Sequence, residues 1–245
     1  MKIKISRFDA NKTPEPILKE YEVSHTRALE ALHEVKTKKD NTLTYRCGCG
    51  SGVCGSCSIR VNGVERLACK THLNEGDVIE PIKYTKRIRD LVVDLEFEEA
   101  LLKKTKAFLE SYQDIPITKE DEKAIDTQSN CILCQSCYSS CPVYEVNKDF
   151  LGPYALTRVL RYTNDKKESN ERSKIDAIQK NGIWDCTLCG NCTMVCPQFI
   201  DPKADIMKLR TKSYQHGYTD PALENNFGFN DSFSQDDFGF NPNSF

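Results

Sequence analysis

Polar and apolar residues alternate along Lys2-Ile3-Lys4-Ile5-Ser6-Arg7-Phe8, the period of a strand with one buried face. Ile17 to Val23 repeats the signal after a proline-containing turn, so the chain opens with a predicted hairpin. The period then lengthens: Ala28, Leu29, Leu32 and Val35 recur at helical spacing, with Ser24 or Thr26 as the expected N-cap. His33 falls inside that helix and reads as an ordinary surface or boundary residue. Ser58 to Asn62 and Val64 to Ala68 flank Asn62-Gly63, a dipeptide suited to the tight turn of a two-residue hairpin, and Gly76 to Ile82 predicts another strand. Lys83 to Arg89 reads as a basic connector. Leu95 to Tyr112 places Phe97, Leu101, Leu102, Phe108 and Leu109 on one helical face, leaving Glu98, Glu99, Lys103, Lys104 and Lys106 as a solvated side. Ile115 to Asn130 is polar and contains a proline. Helical spacing returns over Gly152 to Tyr162, Ile175 to Lys180 and Pro202 to Gln215, with a polar loop at 164–174. Strands with one helix followed by helices alone give an α+β chain, with a first domain over 1–100 and a helical domain over 101–219.

The chemistry lies in the cysteines between these elements. Cys131, Cys134, Cys137 and Cys141-Pro142 form a run that returns as Cys186, Cys189, Cys192 and Cys196-Pro197. Each copy reads C-x2-C-x2-C-x3-C-P, the spacing that holds cubane clusters in two-cluster ferredoxins, where the fourth cysteine of each run serves the other cluster. The expected sets are therefore Cys131, Cys134, Cys137 and Cys196 for one [4Fe-4S] cluster, and Cys141, Cys186, Cys189 and Cys192 for its neighbour. Upstream, Cys49, Cys54, Cys57 and Cys69 give C-x4-C-x2-C and a distant fourth cysteine, the plant-type [2Fe-2S] spacing. Glycines at 48, 50, 52 and 55 let that loop bring amide hydrogens close to sulfur. Cys47 is the thirteenth cysteine, and Cys49 is preferred to it because only Cys49 leaves four residues before Cys54. Trp184, the single Trp, is expected to pack beside the second run.

Composition narrows the alternatives. A disulfide framework suits a short chain with a secretory signal, whereas this one has 245 residues, no such signal and an odd cysteine count of 13. Structural zinc needs four ligands, and a fourth cysteine ending each run in Cys-Pro is surplus to paired zinc knuckles. A net charge of -2 leaves no nucleic-acid footprint, and no stretch has the 18 apolar residues of a membrane span. Residues 220–245 hold six of the eleven Phe, five acids and no Lys or Arg, with Phe-Gly-Phe-Asn at 227–230 and again at 238–241. They read as an acidic tail, disordered alone or docked on a partner.

A plant-type cluster domain followed by a two-cluster domain resembles the iron-sulfur subunit of the succinate dehydrogenase and fumarate reductase family, over roughly residues 1–215. Cys54-Gly55-Ser56-Cys57, Asn62-Gly63, Leu67-Ala68-Cys69, Cys131-Ile132-Leu133-Cys134 and Phe150-Leu151-Gly152-Pro153 carry the resemblance together. It implies an N-terminal β-grasp ferredoxin domain and a helical bacterial-type ferredoxin domain. It also implies single-electron relay between the FAD of a partner flavoprotein and a quinone-reactive, membrane-facing subunit, in a peripheral membrane complex on the cytoplasmic face or, by export with a Tat-targeted partner, the periplasmic one. No residue here is expected to bind the organic substrate.

The chain departs from the classical pattern in three places. Classical members replace the second cysteine of the second run by an apolar residue and hold [3Fe-4S] there; this chain has Cys189. They also place a Trp after the first Cys-Pro and a His after the first cysteine of the second run, where this chain has Val143-Tyr144-Glu145-Val146 and Thr187. The pattern is similar to a non-classical branch whose membrane-facing partner is cysteine-rich and resembles heterodisulfide reductase. Two alternatives remain at this stage: a subunit of a glycolate or glycerol-3-phosphate oxidising complex, whose relatives lack the N-terminal domain, and a zinc-binding scaffold.

Overall fold

The computed structural model describes residues 1–224; the tail from 225 onward, the subject of the docking expectation, lies outside them. Strands β1 (Lys2–Asp9) and β2 (Thr13–Glu22) form the expected antiparallel hairpin, and β1 also pairs in parallel with β5 (Val78–Glu80). Helix α1 (Ala28–Glu34), continued by a wider turn over Val35–Lys39, lies between the hairpin and the cysteine loop. Strands β3 (Ser58–Val61) and β4 (Val64–Leu67) close around Asn62 and Gly63, whose φ values of 50° and 81° are those of the tight turn that the Asn-Gly pair predicts. The sheet runs β4-β3-β5-β1-β6-β7, with β2 also on β1.

Two of its strands are absent from the hydrophobic pattern. β6 (Arg87–Arg89) ends the stretch read as a basic connector and β7 (Val92–Val93) follows it. What fixes them is polar. At the turn between them, Asp90, 2% exposed, accepts from Arg7 Nε at 2.9 Å, from the Phe8 amide at 3.0 Å and from the Thr44 amide at 2.8 Å. Arg87 reaches Ser6, which is why Ser6 is buried where strict alternation would expose it. The apolar core of this half gathers Ile3, Ile5, Leu32, Leu43, Ile59 and Ile79 between sheet and helix.

The second half is helical: α2 (Glu96–Lys104), α3 (Lys119–Ser129), α4 (Ser136–Ser139), α5 (Val143–Val146), α6 (Pro153–Thr163), α7 (Glu171–Ala177), α8 (Asn191–Met194), α9 (Pro202–Gln215) and α10 (Pro221–Glu224). α6 and α9 pack together and carry Tyr154, Leu156, Leu160, Ile206 and Leu209 into a second core. The α+β division is the expected one, but several bounds differ. α2 stops at Lys104, because the Thr105 hydroxyl turns back onto the Leu101 carbonyl and Lys106 takes a left-handed φ of 53°. α3 forms inside the polar stretch, started by a reciprocal cap in which Thr118 and Asp121 bind each other's amides. α7 begins four residues earlier than expected, with Asn170 capping the Ser173 amide. The N-cap of α1 is Arg27 rather than Ser24 or Thr26; Ser24 instead donates to Glu34.

Asp90→Ala would strip Arg7, itself mostly buried, of a main partner and leave two amides unpaired. Removing one side of such a pair costs roughly 3 kcal/mol, read as a lower urea midpoint; an unchanged midpoint would mean that β6 and β7 are held by something else.

Candidate iron-sulfur centres

The two cysteine runs share one backbone conformation. In the first, Leu133 and Gln135 take positive φ (52° and 62°) and α4 follows; in the second, Leu188 and Gly190 do the same (55° and 85°) and α8 follows. Two left-handed residues flanking the second cysteine fold each run into a loop, and the one-turn helix then carries the third cysteine. α4 and α8 pack against each other, with Asn191 Nδ2 donating to the Ser140 carbonyl at 3.4 Å.

This packing interleaves the runs. Cys131, Cys134, Cys137 and Cys196 line one apolar cavity together with Tyr154, Thr157, Ile200 and Pro202. Cys141 lies among Cys186, Cys189 and Cys192, close enough that their charges act on one another. Cys137 feels both Cys196 and Cys192, so the two groups are adjacent. Among the described residues no three His, Cys, Asp or Glu side chains close on a point as one metal ion requires. A lone zinc ion would draw its sulfurs within about 4 Å of one another, given bonds of about 2.3 Å; a cluster's ligands stand farther apart around its edges.

Burial pushes the Cys131 and Cys141 thiols up to about 11, Cys192 to about 12, and Cys137 well above its ordinary value. Iron is bound by thiolate, and sulfurs buried this deeply hold their protons even where, as at Cys131, an arginine acts on them; iron would supply the positive charge that releases them. The residues present thus fit cubane clusters. Arg210, from α9, donates to the carbonyls of Ile183 at 2.8–2.9 Å and of Cys186 at 2.8 Å, and stacks over Trp184. It fixes the start of the second run. Trp184 packs edge-on against Tyr214, as its expected place beside this run implies. Tyr144, where classical relatives have their Trp nearby, is 1% exposed and stacks on Tyr138 and Phe150. Thr187 and Cys189 are exposed.

In the N-terminal loop, the amides of Ser51 and Val53 point at Cys49 Sγ from 3.3 and 3.4 Å, and the Cys49 amide at Cys54 Sγ from 3.4 Å. Hydrogen bonds from Ser51, through hydroxyl and amide, and from Val53 bring the Cys49 thiol down to about 5. Cys57 and Cys69 lie beneath, buried, and burial lifts Cys57 to about 11. These donors aim at Cys49 and favour it over Cys47, whose exposed side chain lines the neighbouring clefts. The arrangement fits a cluster with one buried and one exposed edge.

Three contacts set the N-terminal half against the helical half. A Cβ on Gly55 would stand 2.6 Å from the Ile132 carbonyl and 3.0 Å from Cys134 Cα. Gln198 donates to the Gly52 carbonyl at 2.9 Å. Ser139, between Cys137 and Cys141, accepts from the Lys83 amide at 2.8 Å and donates to buried Glu65 of β4 at 2.7 Å. Spacing could not locate Ser139, Gln198 or Arg210, since their partners lie 24 to 146 residues away along the chain. Glu98, expected on a solvated face, turns inward instead to accept from Gln135 at 2.5 Å, and burial raises its pKa; Glu99 does face solvent, paired with Lys103.

A family model described as a 2Fe-2S iron-sulfur cluster binding domain matches residues 2–99, and one described as a 4Fe-4S dicluster domain matches 127–200. The chain is 34% identical over 229 residues to the fumarate reductase iron-sulfur subunit of Mycobacterium tuberculosis, covering 87% of this chain and 93% of that protein. It is 34% identical over 233 residues to the succinate dehydrogenase iron-sulfur subunit of Coxiella burnetii, covering 88% and 97%. A chain of the Mycobacterium smegmatis Sdh1 complex superposes with a TM-score of 0.76 at 22% identity, covering 89% of this chain and 97% of that one, and shares the fold.

Gly55→Ala would force a Cβ into the Ile132 carbonyl at a φ of 71°. The expected result is loss of the [2Fe-2S] EPR signal, or its displacement, with the cubane signals retained; an unaltered [2Fe-2S] spectrum would show that the loop does not depend on this approach.

Proposed function

The chain belongs to the iron-sulfur subunits of succinate dehydrogenase and fumarate reductase, and from that membership we propose the particular electron path it provides. It is an electron-transfer subunit of an oxidoreductase complex, with binding domains for 2Fe-2S and 4Fe-4S clusters. Cys49, Cys54, Cys57 and Cys69 would hold the [2Fe-2S] cluster. Cys131, Cys134, Cys137 and Cys196 hold a [4Fe-4S] cluster, and Cys141, Cys186, Cys189 and Cys192 a second [4Fe-4S] cluster in place of [3Fe-4S]. Bound clusters take up and release single electrons. The protein's part is to space them, to desolvate them and to aim amide dipoles at their sulfurs, all of which set potential.

The observation that carries the reading is that three cysteine groups follow one another, each adjacent to the next. The Gly55 contact joins the N-terminal loop to Cys134, and Cys137 joins the first cavity to Cys192. Each end of this succession is exposed. At one end are Cys49, Cys54 and Val53, where a flavoprotein carrying FAD would deliver or collect electrons; at the other are Thr187, Cys189 and Met194, where a membrane-facing subunit would meet them. A cysteine-rich partner suits this second end, because Tyr144 is packed into the core and Thr187 replaces the classical His beside the quinone. No helix among the described residues is long and apolar enough to cross a membrane, so attachment would run through that partner, with the cytoplasmic face the reading for this chain and export with a Tat-targeted partner the other route.

The test is EPR on the assembled complex. Succinate should elicit the signals of reduced clusters in the complex but not in this chain purified alone, and the oxidised complex should lack a [3Fe-4S] signal. Reduction of the isolated chain by succinate would contradict the division of labour, and an oxidised [3Fe-4S] signal would remove Cys189 from the ligands.

A further inference from the structure

Behind the cavity of Cys131, Cys134, Cys137 and Cys196 lies a carboxyl group that the relay does not use. Asp205 of α9 is 2% exposed and accepts two hydrogen bonds, both from neutral groups: Gln128 Nε2 of α3 at 2.8 Å on one oxygen and Thr157 Oγ1 of α6 at 2.9 Å on the other. The donors face opposite ways. Thr157 lines the cysteine cavity. Gln128 lines a polar cleft of about 600 Å³ on the outside, rimmed by Lys123, Lys208 and Lys212. Asp205 therefore connects the cavity to water through one side chain on each side.

We propose that Asp205 is a protonation site coupled to the electron held in this cavity. The inference rests on the ligand reading given above. When an electron arrives along the relay, the added negative charge next to Thr157 opposes a second negative charge on Asp205, and the carboxylate takes one proton from bulk water through the cleft. When the electron leaves, the proton returns by the same route. One electron and one proton enter together, so little net charge accumulates in a medium that solvates charge poorly.

The surroundings favour such a group. Burial raises the Asp205 pKa, an effect that its two hydrogen bonds and Lys208 offset only in part and to which Asp201 adds. The elements packed around it carry many charged groups, several of them paired elsewhere. α6 carries Arg158, which acts on the Cys131 thiol, and Arg161, paired with Asp165; α3 carries Lys119, Glu120, Asp121, Glu122 and Asp126 besides Lys123 at the cleft, and α9 carries Lys203, Lys208 and Arg210, the last bound to backbone carbonyls. Lys212 at the far end of α9 is taken up by Glu171 of α7, Asp185 precedes the second run, and α8 has no charged residue. None of these cations contacts the carboxylate. A carboxylate whose only role was to tie three helices together would be expected to have one of them as a partner, since an uncompensated buried charge is costly.

The test is an EPR-monitored redox titration of the assembled complex at a series of pH values. In the wild type, the midpoint of one cubane cluster should fall as pH rises through the window in which Asp205 ionises, because the carboxylate opposes reduction and the acid does not. The total fall is about 59 mV for each tenfold gain in proton affinity on reduction. Asp205→Asn, close in shape and never ionised, should be level with pH and lie at the wild type's acid-side value. Thr157→Val, which removes a bond favouring the ionised form, should move the window to higher pH. The other two clusters act as internal controls of folding and should keep their potentials and line shapes. A pH-independent wild-type midpoint, or an Asp205→Asn slope equal to wild type, would overturn the proposal while leaving the ligand reading intact; absence of any cubane signal assignable to the Cys131 group would overturn both.

Discussion

Neither cysteine run can complete a four-sulfur shell by itself, and the helical half is built around that constraint. Three cysteines spaced two residues apart can embrace one pole of a cluster, so the fourth must come from a chain segment approaching from the opposite side. Cys196 lies with the first run and Cys141 with the second. Each is led away from its own run by a proline that ends the one-turn helix. The exchange forces α4 and α8 together, and α6 and α9 then close over the sulfurs from outside. Once the two groups are locked as a pair, the separation between them is no longer adjustable, and a fixed separation is what stepwise electron transfer needs.

Electrostatics and packing pull in one direction here. The interior withholds charge from its sulfurs, as the raised thiols at Cys131, Cys141 and Cys192 record. Iron relieves that cost, so cluster insertion and folding of this half are linked. The N-terminal loop differs. Its outer cysteine faces water and is met by amides, which lower the Cys49 thiol. Sites that differ in solvation and in hydrogen bonds to sulfur will differ in potential, and the chain orders them by environment while using one ligand type throughout.

Much of this was legible in the sequence, because cluster ligation depends on spacing and spacing is local. The Asn62-Gly63 turn, the β1–β2 hairpin and the long helices α6 and α9 followed from period and turn chemistry. β6, β7 and α3 did not, since β6 and α3 have no apolar face worth reading and β7 is only two residues long: the first two are held by Arg7, Arg87 and Asp90, and α3 by its cap and by Gln128 reaching Asp205. Glu98 was misplaced for a similar reason. A charge at a helical surface position is ordinarily solvated, and only the arrival of Gln135 from the first cysteine run turns it inward. The contacts that register one centre against the next, through Ser139, Gln198 and Gly55, join distant segments and carry no local signal.

Under the proposed ligand sets Cys189 would complete the second group and remove the need for a three-iron cluster, while Tyr144 is packed in the core and Thr187 is exposed near the second run. Of these, Thr187 and Cys189 lie at one exposed end of the molecule, the end the proposal gives to a membrane-side partner. The central claim, that twelve sulfurs are placed to hold three clusters in succession, is tested most directly by counting iron and acid-labile sulfide in the chain purified without oxygen. The account predicts that iron approaches about ten per chain, two in one centre and four in each of two others; a folded product with two iron or fewer would contradict it.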